Sequence, residues 1–448
     1  MKIRQAMLGL FAFGVMQTAS AADLMQIYQQ AQANDTQFIA AQEHYKALRE
    51  NRPIARSSLL PQVNLSANAA RNQLRTNGVV SQGFPVPNAT TDYNSSGYTL
   101  SLSQTLFNYR DWIGLKQADK SVAAAQDNLY AASQSLILHT AEAYFNVLSA
   151  QDQLRFSKIQ ERAIKRQLDQ AKKRYEVGLV PSTDVKQAQA SYDLARAQTI
   201  QAQSAVNTAR EALTVITGQP EETLAPLVGK LPLVSPKPAH MQAWVKAALR
   251  QNLALAAARL NSQSALENVN KQRAGHYPTL NLVASHSHTD AAQGAPQSGQ
   301  MTNNSIALQL NVPLFSGLRV NSLTDQAQYN YLRTQTELQG LERQVTSQTR
   351  SAYLNVQSSI SQVKALRLAV ESNEASVRAT QAGFKVGTRT SLDLLSALSD
   401  LYKAQSEFAR ARYTYLLNTL RLKQAAGILT SADIEHINSY LASHTATH

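Results

Sequence analysis

The stretch VGLVPSTDVK, Val177–Lys186, recurs as VGTRTSLDLL, Val386–Leu395. Both read V-G-x-x-x-S-x-D, at a constant offset of 209 residues. In each copy the glycine supplies the positive φ that ends a helix. Ser182 and Ser391 then read as N-caps of the next helix, with Asp184 and Asp393 in its first turn. A turn written twice implies that the unit around it is written twice.

The rest of the chain bears this reading. At the same offset, AYFNVLSAQDQ (Ala143–Gln153) matches AYLNVQSSISQ (Ala352–Gln362), and Gly218 matches Gly427. At a slightly larger offset, RSSLLPQVNL (Arg56–Leu65) matches RAGHYPTLNL (Arg273–Leu282), and SLSQTLF (Ser101–Phe107) corresponds to QLNVPLF (Gln309–Phe315). The repeated unit is a helix, a strand, a loop, a strand, a long helix, a turn and a shorter helix. The division expected is 1–22 as signal peptide, 23–218 and 240–428 as repeats, 219–239 as linker and 429–448 as tail.

The shorter helices carry heptads. Leu394, Leu401, Phe408, Tyr415 and Leu422 alternate with Ala397, Ala404, Ala411, Asn418 and Ala425. In the first copy Val185, Tyr192, Thr199, Val206 and Leu213 alternate with Ala188, Ala195, Ala202, Ala209 and Ile216. A seven-residue period sustained this long is a coiled-coil seam rather than the broader stripe of a globular core helix. The preceding helices run without proline from Asp111 to Tyr175 and from Val320 to Phe384. About 65 helical residues span roughly 100 Å, the dimension of a rod or a tube wall.

Four segments alternate with period two: 62–70, 98–107, 279–285 and 305–315. In the second, Tyr98, Leu100, Leu102 and Leu106 share one face, and Thr99, Ser101, Ser103 and Thr105 the other. Pro313 falls near the end of the fourth, where a missing donor is tolerated. Such alternation over about ten residues marks outer-membrane strands. The polar segments Arg71–Gly97 and His286–Asn304 read as external loops. Four strands cannot close a membrane barrel, and an open edge in lipid leaves backbone groups unpaired. The chain must therefore oligomerise, a dimer giving eight strands and a trimer twelve.

Lys2 and Arg4, the apolar run Ala6–Met16 and the small residues after it read as a secretory signal peptide, cut after Ala21 or Ala22. The run is too short for a spanning anchor. Absent cysteine excludes disulfides and thiolate chemistry. The net charge of +13 comes with no basic run interleaved with aromatics, so it reads as a solvated surface and nucleic acid is not expected. Neither a Walker phosphate loop, nor a G-x-S-x-G elbow, nor an H-E-x-x-H helix occurs, so no enzyme and no cofactor is expected. His286 and His288 share a strand face or loop but lack a third metal ligand, and no metal is expected.

Several extended motifs resemble the TolC family of outer-membrane efflux and type I secretion channels. They are LMQIYQQA (Leu24–Ala31), LLPQVNL (Leu59–Leu65), LILHTAEAYFNVL (Leu136–Leu148), RQLDQAKKRYEVGLV (Arg166–Val180), QAQYN (Gln326–Asn330) and VGTRT (Val386–Thr390). The resemblance implies a mainly α homotrimer. Its 12-stranded membrane β-barrel, four strands per chain, is continued by a long α-helical coiled-coil barrel in the periplasm. Residues 220–238 and the tail from Leu429 would form an equatorial belt. The turns 177–182 and 386–390 would lie at the periplasmic tip, which opens by untwisting. There the chain would serve a periplasmic adaptor protein and an inner-membrane efflux or ABC transporter.

Position by position, the resemblance makes Asp393 the constriction carboxylate. It makes Thr183, Asp184 and Arg389 members of polar tip links, and Val177, Gly178, Leu179, Val386, Gly387 and Thr388 the adaptor contacts. Two positions depart. Ser396 stands where a second acidic ring is expected, and Phe384 replaces a tyrosine that would link to Asp184. Asp184 reads equally as a cap and as a gate residue. The competing function is a structural or adhesive coiled-coil surface protein, which needs no lumen.

Overall fold

The computed structural model describes residues 21–441 except 79, 82–83, 86–87, 221–222, 228–230, 294 and 296. Nearly all of the expected signal peptide, parts of the linker and the end of the tail therefore lie outside the described residues. The chain divides into two compact units. One comprises Gln42–Tyr130 and Leu253–Gln344, the other the chain up to Ala41, Ala131–Asn252 and Val345 onward.

The first of these holds a four-stranded antiparallel sheet of β1 (Gln62–Thr76), β4 (Ala89–Asn108), β5 (Thr279–Ala291) and β6 (Gly299–Asn311), in the order β1-β4-β5-β6. Two short strands, β2 (Val80–Ser81) and β3 (Phe84–Pro85), pair beyond the β1–β4 hairpin. The central β4–β5 pairing joins the two repeats, and β1 and β6 are the edges. Register places Leu65 opposite Leu100, Val63 opposite Leu102, Leu282 opposite Leu308 and Ala284 opposite Ile306. One face is thus apolar, and this chain leaves it bare: Leu65 is 70% and Ile306 82% exposed. The other face carries the pairs Asn64–Ser101, Ser66–Thr99 and Ser285–Ser305.

The strands differ from the alternation read in the sequence. All four strands run on into residues read as loop, β6 starting at Gly299 rather than 305. Backbone pairing continues wherever two strands stay opposed, whatever their side chains: Arg71 still pairs with Asn94 and Asn72 with Tyr93. The last strand stops at Asn311 rather than 315, ahead of Pro313, which has no N–H to give the ladder. The register shifts between Thr105 and Phe107, so Leu106 sits in a β-bulge and leaves the face assigned to it.

The strand-to-helix junctions also differ between repeats. β4 passes straight into α4 (Tyr109–Glu176), where Asn108 Oδ1 accepts from the Arg110 N–H at 3.1 Å. After β6, Gly317 and Leu318 take φ of 59° and 61° before α8 (Arg319–Lys385) begins. This unit also contains α3 (Asn51–Ser57), α7 (Leu253–Arg273) and a 3₁₀ turn at Ala274–His276.

The other unit is helical. It contains α1 (Leu24–Asn34), α5 (Ser182–Thr217), α6 (Met241–Gln251), α9 (Ser391–Ala425) and α10 (Ser431–Asn438), with the later parts of α4 and α8; α2 (Thr36–Arg49) begins here. The α9 seam is buried except at Phe408 and Ala425. Tyr413, Leu416, Leu417 and Leu420 are buried as well, so its C-terminal half presents a globular stripe wider than the seam expected. Here the Phe145 ring stacks on Tyr413 at 5.6 Å.

The buried Tyr144 hydroxyl donates to Ala225 O at 2.7 Å. Burial, with Asp23 nearby, pushes this phenol well above its ordinary range. Asn438 Oδ1 accepts from the Leu24 N–H at 3.0 Å, and Leu227 bridges Leu441. The segment after α5 and the tail therefore meet.

Candidate functional site at two helix-ending turns

α4 ends at Glu176 and α8 at Lys385, and two residues on a glycine enters the left-handed region: Gly178 with φ 73° and Gly387 with φ 77°. The Gly178 N–H donates to Tyr175 O at 2.9 Å and Leu179 N–H to Arg174 O at 2.8 Å. In the second turn Gly387 N–H donates to Phe384 O at 3.3 Å and Thr388 N–H to Gly383 O at 2.9 Å. These bonds satisfy carbonyls that the helix itself leaves unpaired. A Cβ at either turn glycine would meet nothing within 4 Å. Glycine is needed there for its φ, not for room.

Gly383 is the opposite case. A Cβ there would lie 2.8 Å from Arg389 Cγ and 3.0 Å from Thr388 Oγ1. The missing side chain lets the Arg389 stem lie against the helix end. The Thr388 hydroxyl donates to Gly383 O at 3.2 Å, so this proposed adaptor contact is already engaged in the turn.

Neither serine is an N-cap. The caps are Pro181 and Thr390, whose backbones are still extended with ψ of 161° and 164°; Ser182 and Ser391 are the first helical residues. Thr390 and Asp393 form a capping box: Thr390 Oγ1 accepts from Asp393 N–H at 3.1 Å, and Asp393 Oδ2 accepts from Thr390 N–H at 2.9 Å. These bonds to Thr390, helped by Arg389, hold the Asp393 carboxyl below its ordinary range. Pro181 offers no side-chain cap.

Asp184 N–H donates to Pro181 O at 3.1 Å. Asp184 lines a cleft of about 230 Å³ with Gln187, Ala188, Thr390, Ser391, Leu392 and Leu395. The fold thus brings the first turn's aspartate beside the second turn's cap. Among the described residues, Thr183, Asp184 and Arg389 make no side-chain hydrogen bonds to one another within this chain.

Behind the turns, Leu168, Ala171 and Ala188 pack with Val185 and Tyr192, and Ile164 and Ala195 with Leu395. In front of them Val177, Leu179 and Val386 are 67%, 73% and 75% exposed. One participant escaped the sequence reading. The Arg174 guanidinium lies over the Phe384 ring, 4.7 Å from its centroid. The only hint in the sequence is that both sit in the last helical turn before a V-G pair.

His286 and His288 lie on β5. Their Nδ1 atoms contact Asn304 Oδ1 at 2.6 Å and Thr302 Oγ1 at 2.9 Å across the strand pair. Among the described residues no three candidate ligands gather into a metal site. No helix among the described residues is long and apolar enough to cross a membrane.

The family described as outer membrane efflux protein matches residues 27–219 and 244–428. The chain belongs to that family. It is similar to outer membrane protein TolC of Salmonella enteritidis, 37% identical over 98% of this chain and 89% of that protein. It is also similar to the alkaline protease secretion protein AprF of Pseudomonas aeruginosa, 32% identical over 95% and 89%. The CmeC outer membrane channel of Campylobacter jejuni shares the fold, with TM-score 0.77 at 17% identity over 99% of this chain and 98% of that one. As an outer membrane efflux protein, the chain is an outer-membrane channel of the efflux and secretion type, not an enzyme.

Proposed function

We propose that three copies of this efflux protein form a channel whose entrance is closed and opened at the two turns. The observation that carries the trimer is the sheet: four strands, two unpaired edges and a bare apolar face. In lipid such edges must be paired, and three copies make a barrel of twelve strands. The repeats 23–218 and 240–428 would each contribute one helical hairpin, with 219–239 and 429–448 at the equator.

In this reading Asp393 faces the entrance. Three carboxylates converging on an axis attract cations. Its box with Thr390 fixes the carboxylate at the helix start and keeps it ionised. Val177, Gly178, Leu179, Val386, Gly387 and Thr388 receive a periplasmic adaptor, with Val177, Leu179 and Val386 offering exposed apolar side chains, and an inner-membrane efflux or ABC transporter delivers the cargo. Thr183, Asp184 and Arg389 join neighbouring hairpins across chains.

Single-channel recording in planar bilayers tests the entrance. Asp393→Ala should weaken block by a trivalent cation by about tenfold or more, each tenfold being 1.4 kcal/mol of lost binding. Full block retained in the variant removes Asp393 from the gate. A purified trimer with no discrete conductance at any pH would return the reading to a structural surface protein.

A further inference from the structure

The two hairpins of one chain carry a direct clasp at their tips. We infer that Arg174 and Phe384 hold the entrance shut through a cation–π contact, making Arg174 a positioning residue of the gate. The inference rests on the tip-gate reading above.

The geometry is specific. Arg174 is in the last turn of α4 and Phe384 in the last turn of α8, and the guanidinium carbon stands 4.7 Å from the ring centroid. That is inside the range where the ring's negative face attracts a cation. Among the described residues Arg174 has no carboxylate partner, so the ring is the group its charge engages. Both side chains are half-buried, which strengthens the attraction relative to open water.

Each partner also belongs to its own turn through the backbone. Arg174 O accepts from Leu179 N–H, and Phe384 O from Gly387 N–H. The side-chain contact therefore ties one helix-ending turn to the other. Any motion that separates the hairpins must break it. The exposed Val177, Leu179 and Val386 stand a few residues from the clasp. A protein that docks on them pulls on the clasp directly. Phe384 thus serves without a hydroxyl: in place of a phenol's link to Asp184, its ring face holds the Arg174 guanidinium.

The experiment compares full-length trimers in planar bilayers: wild type, Arg174→Gln, Phe384→Leu, the double variant, and mono-, di- and trifluorophenylalanine at 384. Each single variant should raise conductance about two- to fivefold, and the double variant no further than either single. Conductance should climb with fluorine number, because fluorine drains the ring face at nearly constant shape. That climb should vanish in the Arg174→Gln background, which a merely structural ring would not do. Additive singles, unchanged conductance or a flat fluorine series overturns the clasp.

If wild type passes no current, the gate reading fails by itself. The clasp is then read from the distance between spin labels at Lys173 and Lys385. Phe384→Leu should broaden that distance, and an unchanged distribution overturns the inference.

Discussion

The turn after α4 and the turn after α8 have the same backbone but are held by different side chains. In both, a left-handed glycine returns its N–H to the last helical turn, and the next residue reaches one step further back. Beyond that they part. Gly383 O takes the N–H groups of Thr388 and Arg389 and the Thr388 hydroxyl, whereas Arg174 O takes Leu179 N–H. Thr390 and Asp393 cap α9 reciprocally, whereas α5 starts behind a proline with no side-chain cap. Duplication preserved what the backbone needs and released the side chains to diverge. The better-fastened turn is the one that presents Asp393. The other presents Leu179 and Val180 where its counterpart has Thr388 and Arg389.

The largest effect should fall on what the turns share. Gly178→Ala and Gly387→Ala should each cost about 1–2 kcal/mol, the price of a left-handed L-residue. The two costs should be equal, since open space surrounds both positions. Amide hydrogen exchange of the two turns checks this, and a difference beyond error would break the equivalence of the backbones.

Next come the caps. Thr390→Ala should loosen the start of α9 by about 1 kcal/mol, while Pro181→Ala should change α5 by less. Pro181→Thr, which gives the first turn a hydroxyl, should slow exchange in the first turn of α5. If it does not, the missing cap is not what separates the turns.

The smallest effect is one of pH. The Asp393 carboxyl is depressed in the folded chain by its bonds to Thr390 and by Arg389, so its stabilising share is complete above the ordinary carboxylate value of 3.8. It is lost as pH falls through the lower, folded value. An acid titration of wild type against Asp393→Asn should show this limb in the wild type alone. The same limb in Asp393→Asn would show that this carboxyl, and with it the capping box, is not its source.

Much of this was legible in the sequence, because it depends on neighbours in the chain. The glycine turns, the alternating faces of β1 and β6 and the heptads of α5 and α9 are local periodicities with local causes. The N-caps were misread by one residue because the serines are repeated and Thr390 is not. The strand ends were set short because Arg71, Asn72 and Asp290 look like loop residues while their backbones continue the ladder. The Leu106 bulge leaves no mark in a pattern that alternates through it.

The sequence by itself determined the duplication, the length of the helices, the position of both turns and the apolar face that must meet lipid. Each follows from spacing along the chain and from the few backbone angles that glycine and proline allow or forbid. Only the tertiary structure decided that β4 of the first repeat pairs with β5 of the second, that Asp184 lies beside Thr390, and that Arg174 lies over Phe384. Those contacts join residues roughly two hundred positions apart. Their partners are chosen by how whole helices and strands pack, and no local propensity encodes that choice.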